Sequence, residues 1–220
     1  MVLRVDQCGK PGAGTQGVGT LQTIESEAEL EAHYGAVPQG AIDKVFDHLT
    51  PLYRRWINAS RFVVLSTVGP EGTDASPRGD SDEVVRIADA KTLWLPDWRG
   101  NNRLDSLKNI VRDGRVSLMF MVPGSDTVVR INGGAVLAAD AEITGQFQRQ
   151  GKVPQTVVVI TVGEVYFQCA KALMRSRLWT AGDESAALPT AGDFLKEGMP
   201  EFDARAYDDG HQIRAKDQLW

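Results

Sequence analysis

The stretch "SPRGDSDEVVRIADAKTLWLPDWRGNNRLDSLKNI", residues 76–110, contains the elements that decide the fold. Two short apolar runs, "VVRI" (84–87) and "TLWLP" (92–96), are separated by "ADAK", and this pattern predicts a β-hairpin. A helical pattern with a polar beginning follows, from about residue 101 to residue 111. The segment therefore predicts two antiparallel strands that lead into the start of a helix.

The beginning of this predicted helix is rich in hydrogen-bond donors. The first backbone N–H groups of a helix lack partners and carry a partial positive charge, so a helix start favours an anion. Helical spacing places Asn102, Arg103 and Ser106 on one side, with Asn101 beside them. These four residues are therefore predicted to face one ligand.

The other side of the predicted helix is apolar and is expected to face the core. Its members are Leu104, Leu107 and Val111. A second interpretation of the polar side stays open, in which Arg103 pairs with Asp105 or Glu83 on the surface. In that case the asparagines only cap the helix, which is a common role for this residue type.

Further donors precede the hairpin, at a strand end or turn formed by Ser76, Arg78 and Gly79. The planar fork of an arginine matches the oxygen atoms of a phosphate, and a glycine allows the backbone to approach a ligand closely. Together with the helix start, these residues lead to the central hypothesis of a bound phosphate group.

The remaining β-type segments lie close together along the chain. They are "RFVVLSTV" (61–68), "RVSLMFMV" (115–122), "VVRINGGAVLA" (128–138) and "TVVVITVGEVYFQ" (156–168). With the hairpin they make six strands, and the short connections favour antiparallel pairing, because parallel strands need long crossovers. A small antiparallel barrel would also protect the edges of the sheet.

Helices are predicted around these strands from their capping residues. Ser26 precedes a short helical pattern that ends near Gly35, and Thr190 precedes another that ends near Gly198. Thr50 and Pro51 suit the cap and the first position of a third helix.

Composition restricts the class of protein. A chain of 220 residues with 42% hydrophobic residues fits one globular domain with terminal extensions. Its net charge of −5 argues against a nucleic-acid partner held by a general basic surface. The apolar runs are too short to cross a membrane and no leader pattern is present, so a cytoplasmic location is expected.

Metal and disulfide chemistry is not indicated. Cys8 and Cys169 are expected to be reduced thiols, and neither has metal-type spacing. His33, His48 and His211 are scattered along the chain. We therefore expect no metal site.

Residues 1–23 are predicted to form a Gly-rich N-terminal extension. They include "GAGTQG", in which Gly12, Gly14 and Gly17 have the spacing of a dinucleotide-binding motif. That motif requires a strand before it and a helix after it, and neither neighbouring segment fits. The flexible Gly-rich interpretation is therefore preferred.

A second group of cations lies on a short predicted helix, from about residue 170 to residue 178. Its members are Lys171, Arg175 and Arg177. Cations are favoured near a helix C-terminus by the helix dipole, but an anionic ligand or acidic partner would also relieve their mutual repulsion. Both interpretations stay open.

Several segments together resemble the flavin-nucleotide-binding branch of the pyridoxamine 5′-phosphate oxidase superfamily. They are "DASPRGD", "LPDWRGNNRLDSLKNI", "MVPGSDTVVRINGGAVL", "CAKALMRSRLW" and "FDARAYD". The resemblance implies a mainly β fold, a six-stranded antiparallel split β-barrel with flanking helices. It places this FMN-binding domain in residues 24–180, followed by a tail, residues 181–220, that packs on the barrel or on a partner subunit.

The resemblance also implies a homodimer with FMN in a cleft shared by the two subunits. The flavin phosphate would be held by Arg78, with Ser76 and Gly79 beside it. The loop and helix start would contribute the remaining phosphate contacts, from Asn101, Asn102, Arg103 and Ser106. Lys171, Arg175 and Arg177 would approach the flavin ring or the substrate, across the dimer interface.

The sequence departs from the oxidase at three places. Arg175-Ser176-Arg177 replaces an Arg-x-His arrangement, Val128 replaces a glutamine, and Asn101-Asn102-Arg103 replaces Ser-Arg-Lys. The resemblance therefore implies an FMN-dependent oxidoreductase acting on a small molecule other than pyridoxamine phosphate, without assigning catalytic residues. The alternatives are a non-catalytic flavin carrier or sensor, and a protein that binds a deazaflavin or haem instead.

Overall fold

The computed structural model describes residues 22–217 and residue 219, and its centre is an antiparallel sheet. The strands are β1 (Phe62–Gly69), β2 (Gly72–Gly79), β3 (Arg86–Ile87), β4 (Thr92–Asp97), β5 (Arg115–Met121), β6 (Val128–Ala138) and β7 (Thr156–Gln168). Their order across the sheet is β2-β1-β5-β6-β7-β4-β3. The prediction of a mainly β, antiparallel fold is confirmed, with one strand more than the six expected.

The additional strand is β2, where the sequence predicts only a strand end or turn. It pairs with β1 over its whole length, from Phe62 opposite Gly79 to Gly69 opposite Gly72. Its sequence shows no apolar alternation because β2 is an edge strand without buried residues. Pro77 is compatible with this position, since an edge strand does not need every backbone N–H for pairing.

The sheet curls until its two ends approach each other. Arg78 on β2 and Asp97 on β4 form an ion pair, although these strands are first and sixth in the sheet order. Among the described residues, no backbone ladder joins β2 to β3 or β4. The sheet is therefore a split β-barrel, rolled but not closed by hydrogen bonds.

The inner face of the barrel forms the core. On β1, buried side chains alternate with half-buried ones, so that Val63 and Leu65 point inward. Leu118 and Phe120 on β5 and Ile131 on β6 are fully buried against them. This alternation is the pattern expected for strands with one covered face.

A bulge between Asn132 and Gly133 shifts the pairing of β6 with β7. A Cβ atom on Gly133 would lie 2.0 Å from the Thr161 carbonyl oxygen, so the backbones approach too closely for any side chain. The paired glycines in "RINGG" therefore mark an irregular point in an otherwise regular ladder.

Eight α-helices flank the sheet within the described residues. They are α1 (Glu27–Tyr34), α2 (Gln39–Asp43), α3 (Pro51–Asn58), α4 (Asp105–Arg112), α5 (Ala141–Thr144), α6 (Lys171–Ser176), α7 (Ala191–Gly198) and α8 (Ala204–Asp217). Ser26, Thr50 and Thr190 each accept a hydrogen bond from a backbone N–H of the first turn that follows. These three predicted caps are confirmed.

The start of α4 differs from the prediction. The helix begins at Asp105 rather than near Asn101, because Asn102 and Leu104 adopt left-handed backbone conformations with φ of 59° and 60°. The predicted helical alignment of Asn102 with Ser106 is therefore wrong. The predicted apolar stripe is also wrong in part: Leu107 is buried, but Leu104 and Val111 are exposed.

The terminal regions are described in part. The predicted Gly-rich extension, residues 1–23, falls almost entirely outside the described residues. In the tail, α7 and α8 pack on each other, with Gly192 N–H donating to Asp208 Oδ1 at 3.0 Å. The division into an extension, a domain of residues 24–180 and a tail of residues 181–220 stays a prediction.

Candidate functional site

A cleft of about 1110 Å³ lies where the ends of the sheet meet α4. Its walls are the end of β2, the end of β4, the following loop, the first turn of α4 and residues 152–155. Seven of the predicted site residues line it: Ser76, Arg78, Gly79, Asn101, Asn102, Arg103 and Ser106. The structure therefore brings the strand-borne donors and the helix-start donors into one cavity.

Arg78 is held at the base of this cleft by Asp97. The two side chains are only 21% and 16% exposed, and Arg78 Nη1 donates to Asp97 Oδ1. Arg78 Nε is buried, and no described residue accepts a hydrogen bond from it. One donor of the guanidinium is thus unsatisfied inside the protein, which is uncommon for a buried polar atom.

The loop after β4 adopts a tight conformation. Asn101 Oδ1 accepts a hydrogen bond from the Arg103 backbone N–H at 3.1 Å, and Asn102 and Leu104 follow with positive φ. Arg103 Nε donates to Asp105 Oδ2 at 2.9 Å. Arg103 therefore makes one of the surface ion pairs that the second interpretation of this segment expects.

The first turn of α4 opens into the cleft without a side-chain cap. Leu104 occupies the capping position and cannot accept a hydrogen bond through its side chain. Asp105, Ser106 and Leu107 all line the cleft, so the unpaired backbone donors of this turn lie along its wall. Ser106 is buried, and its hydroxyl donates to Asp74 Oδ2 on β2.

A buried asparagine that the sequence analysis missed fixes α4 on the barrel. Asn109 Nδ2 donates to Thr67 Oγ1 of β1 at 3.1 Å. Gly69 makes this approach possible, because a Cβ atom there would lie 2.3 Å from Asn109 Oδ1. The only sequence signal was a polar residue on the buried face of the helix.

Asp80 was also missed, and it connects the two sides of the cleft. Its side chain is 3% exposed and accepts hydrogen bonds from Trp98 Nε1 and Arg149 Nε, both at 3.1 Å. Trp98 belongs to the loop after β4, and Arg149 lies three residues before the wall at 152–155. A turn-like "DSD" gives no sequence signal for such long-range contacts.

The second predicted group of cations lies elsewhere. Lys171, Arg175 and Arg177 are exposed on or directly after α6 and do not line the cleft. Arg177 Nη2 lies 3.8 Å from Glu184 Oε1. Their predicted approach to a flavin from the other subunit stays a prediction.

The charges around the cleft nearly balance. Among the described residues, four cations line it, namely Arg78, Arg99, Arg103 and Lys152, against three carboxylates, namely Asp74, Asp97 and Asp105. The cleft also has an apolar part, formed by Val84, Leu95, Pro96, Val153 and Pro154. A ligand with one anionic and one apolar end would match this division.

The described part of the chain holds neither a candidate metal centre nor a candidate membrane span. It contains no group of three or more His, Cys, Asp or Glu side chains arranged to hold a metal ion. None of its helices combines the length and apolar character needed to cross a bilayer.

The fold and the cleft define a split-barrel protein with a polar cavity between the sheet ends and a helix start. The chain belongs to the pyridoxamine 5′-phosphate oxidase family, whose model matches residues 49–169, more than half of the sequence. The resemblance inferred from the motifs is thereby confirmed. None of the curated proteins matches the chain in sequence.

Several solved structures match part of the chain at low identity. HupZ from Group A Streptococcus is 20% identical, covering 53% of this chain and 90% of that one, with a TM-score of 0.44. An FMN-binding protein from Syntrophomonas wolfei is 15% identical, with coverages of 53% and 83% and a TM-score of 0.42. A FAD-binding protein from Mesorhizobium loti is 14% identical, with coverages of 56% and 94% and a TM-score of 0.39.

Proposed function

We propose that the cleft binds FMN, with the flavin phosphate between the end of β2 and the first turn of α4. The observation that carries this proposal is that an uncapped helix start and a half-buried arginine, Arg78, line the same cavity. Helix starts and arginine side chains are two of the commonest ways in which proteins hold phosphate.

The residues present fit this ligand. We assign four donors to the phosphate: the Arg78 guanidinium, the hydroxyl of Ser76 and the backbone N–H groups of Ser106 and Leu107. The apolar part of the cleft, together with Trp98, would cover one side of a planar ring. A Cβ atom on Gly79 would meet only the Arg61 carbonyl oxygen, at 3.5 Å, and the residue lines the cleft.

The chemistry of such a complex would come chiefly from the cofactor. Bound FMN would supply electron or hydride transfer, while the protein supplies position, electrostatics and access. The cleft is lined by no described histidine or cysteine, and its three carboxylates are each hydrogen-bonded to a neighbour. We infer an FMN-dependent oxidoreductase acting on a small molecule.

The composition of the cleft lining also favours a second candidate, a flavin carrier or sensor without turnover. A lining without obvious acid–base groups is as suitable for holding a flavin as for using one. We also propose a homodimer in which Lys171, Arg175 and Arg177 of one subunit approach the flavin of the other. A cytoplasmic location stays a prediction.

Absorbance spectroscopy of the purified protein tests the cofactor. A flavin spectrum, with FMN identified by mass spectrometry after heat release, supports the proposal, whereas a haem or deazaflavin spectrum overturns it. A colourless protein that does not quench added FMN fluorescence also overturns it. Anaerobic addition of NADH or NADPH then separates the candidates: bleaching of the flavin band supports the enzyme, and an unchanged band with every donor supports the carrier.

A further inference from the structure

We propose that Arg99, rather than Arg78, supplies the net positive charge that selects a phosphorylated flavin in this cleft. The inference rests on the proposed function and identifies a specificity-determining residue within the same site. It follows from how the charges of the cleft are already paired within the chain.

The charge of Arg78 is largely compensated by Asp97. Their ion pair is mostly shielded from water, so each charge acts strongly on groups nearby. A phosphate beside Arg78 can accept a hydrogen bond from the exposed part of its guanidinium, but it also meets the repulsion of the Asp97 carboxylate. Arg78 therefore orients a phosphate more than it attracts one.

Two other predicted phosphate donors are engaged in the same way. Ser106 donates its hydroxyl to Asp74, and Arg103 donates to Asp105. Three of the donors that the sequence suggests for the phosphate, Arg78, Arg103 and Ser106, thus already have a carboxylate of this chain as a partner. Lys152, the fourth cation of the lining, also takes part in an interaction.

Arg99 differs from all of these cations. It lines the cleft, it is exposed, and within the described residues it has neither an ion pair nor a hydrogen bond through its side chain. The preceding residue is fixed, because Trp98 Nε1 donates to Asp80 at 3.1 Å. The Arg99 backbone is therefore held in the wall of the cleft, while its guanidinium is available for a bidentate contact with a phosphate in the same cavity.

This arrangement predicts the class of ligand as well as the residue. One uncompensated arginine favours a flavin with a phosphate over the same flavin without one. FMN and riboflavin carry the same ring system, so the ratio of their affinities isolates the contribution of the phosphate group.

Fluorescence-quenching titrations of the wild-type apoprotein and of Arg99→Gln, each with FMN and with riboflavin, test the proposal. We expect Arg99→Gln to lower the preference for FMN over riboflavin by about tenfold, the usual scale of one charge-assisted hydrogen bond. Riboflavin binding should stay the same. Arg55→Gln on α3, an exposed arginine outside the cleft, serves as the matched control and should retain the wild-type preference.

Asp97→Asn provides the opposite test, since it removes the compensating charge while keeping the shape of the side chain. We expect it to raise the preference for FMN. If Asp97→Asn does not fold, Arg99→Gln still decides, because the preference for FMN would persist in that variant if Arg78 supplied the selecting charge.

The outcomes separate the two proposals. Wild-type protein that binds neither flavin overturns the proposed function, and equal binding of both flavins overturns its phosphate site. A wild-type preference for FMN that persists in Arg99→Gln overturns only the present inference. Loss of the preference in Arg99→Gln but not in Arg55→Gln supports it.

Discussion

Arg78 and Asp97 join the first and sixth strands of the sheet through their side chains, where no backbone ladder of the described residues does so. The ion pair therefore fixes the curvature of the split barrel at the base of the cleft. It also means that any ligand there meets a pair of opposite charges rather than an isolated arginine.

A double-mutant cycle of Arg78→Ala and Asp97→Ala would measure this link. We expect a coupling energy of about 1–3 kcal/mol in urea unfolding, since the groups are shielded and in direct contact. The same cycle for Arg115 and Asp113, a pair at 2.6 Å with an exposed arginine, is the control and should give less than about 1 kcal/mol. Equal couplings for the two pairs would contradict a special role for the first.

Replacement of Gly133 tests the bulge between β6 and β7. Gly133→Ala would place a methyl group against the Thr161 carbonyl, 2.0 Å away, so the strands must separate. We expect the free energy of unfolding to fall by about 2 kcal/mol or more, as for other overpacked positions. Gly40→Ala, which meets no atom within 4 Å and lies in α2, should leave stability unchanged or slightly higher.

Gly69 and Asn109 are predicted to depend on each other. Gly69→Ala should destabilise the protein, because its methyl group would lie 2.3 Å from Asn109 Oδ1. Asn109→Ala should cost about 1–3 kcal/mol by leaving the Thr67 hydroxyl without its partner. In the double variant the clash is absent, so the combined loss in urea unfolding should be smaller than the sum. Additive losses would show that the two residues act independently.

Asp80 is expected to be important for stability. Asp80→Asn weakens a buried contact to Arg149, while Trp98 can still donate to the amide oxygen. We expect a loss of about 1–3 kcal/mol in thermal or urea unfolding, typical of a hydrogen bond to a charged group. Asp82→Asn, two residues away and exposed, is the matched control. A similar loss in both variants would argue against the bridging role.

Asp47 should make stability dependent on acid pH. Hydrogen bonds lower the pKa of the Asp47 carboxyl from 3.8 to about 2, with the largest effect from His48 and the next largest from Lys91. Because the folded pKa lies below the unfolded one, the stabilisation is fully present above about pH 4 and is lost as the pH falls toward about 2. Urea unfolding should therefore show that the free energy of unfolding falls more between about pH 6 and about pH 3 in wild type than in Asp47→Asn. An equal loss in the two proteins would refute the linkage.

The sequence predicted those parts of the fold that depend on local pattern. The alternation around Val63 and Leu65 marks a strand with one covered face, and the caps at Ser26, Thr50 and Thr190 act within a few residues. Both signals arise from neighbouring residues along the chain. Tertiary contacts therefore do not need to be known to predict them.

The features that were missed depend on distant partners. The strand β2 is polar because it lies at an edge, and the start of α4 is delayed by Leu104 in a left-handed conformation that leucine seldom adopts. Asp80 meets Arg149, 69 residues further along the chain. The seven donors were nevertheless placed in one cleft, because strand-end and helix-start chemistry was visible in the sequence.

The position of β2 has a consequence for how ligand binding can be observed. Within the part of the chain that the structure describes, this strand pairs on one side only, and its last residues line the cleft. Amide protons on its unpaired side should exchange rapidly with deuterated water in the free protein, whereas those bonded to β1 are protected. A bound ligand would slow exchange along residues 74–79, so mass spectrometry of peptides from this segment would report occupancy without any coloured cofactor.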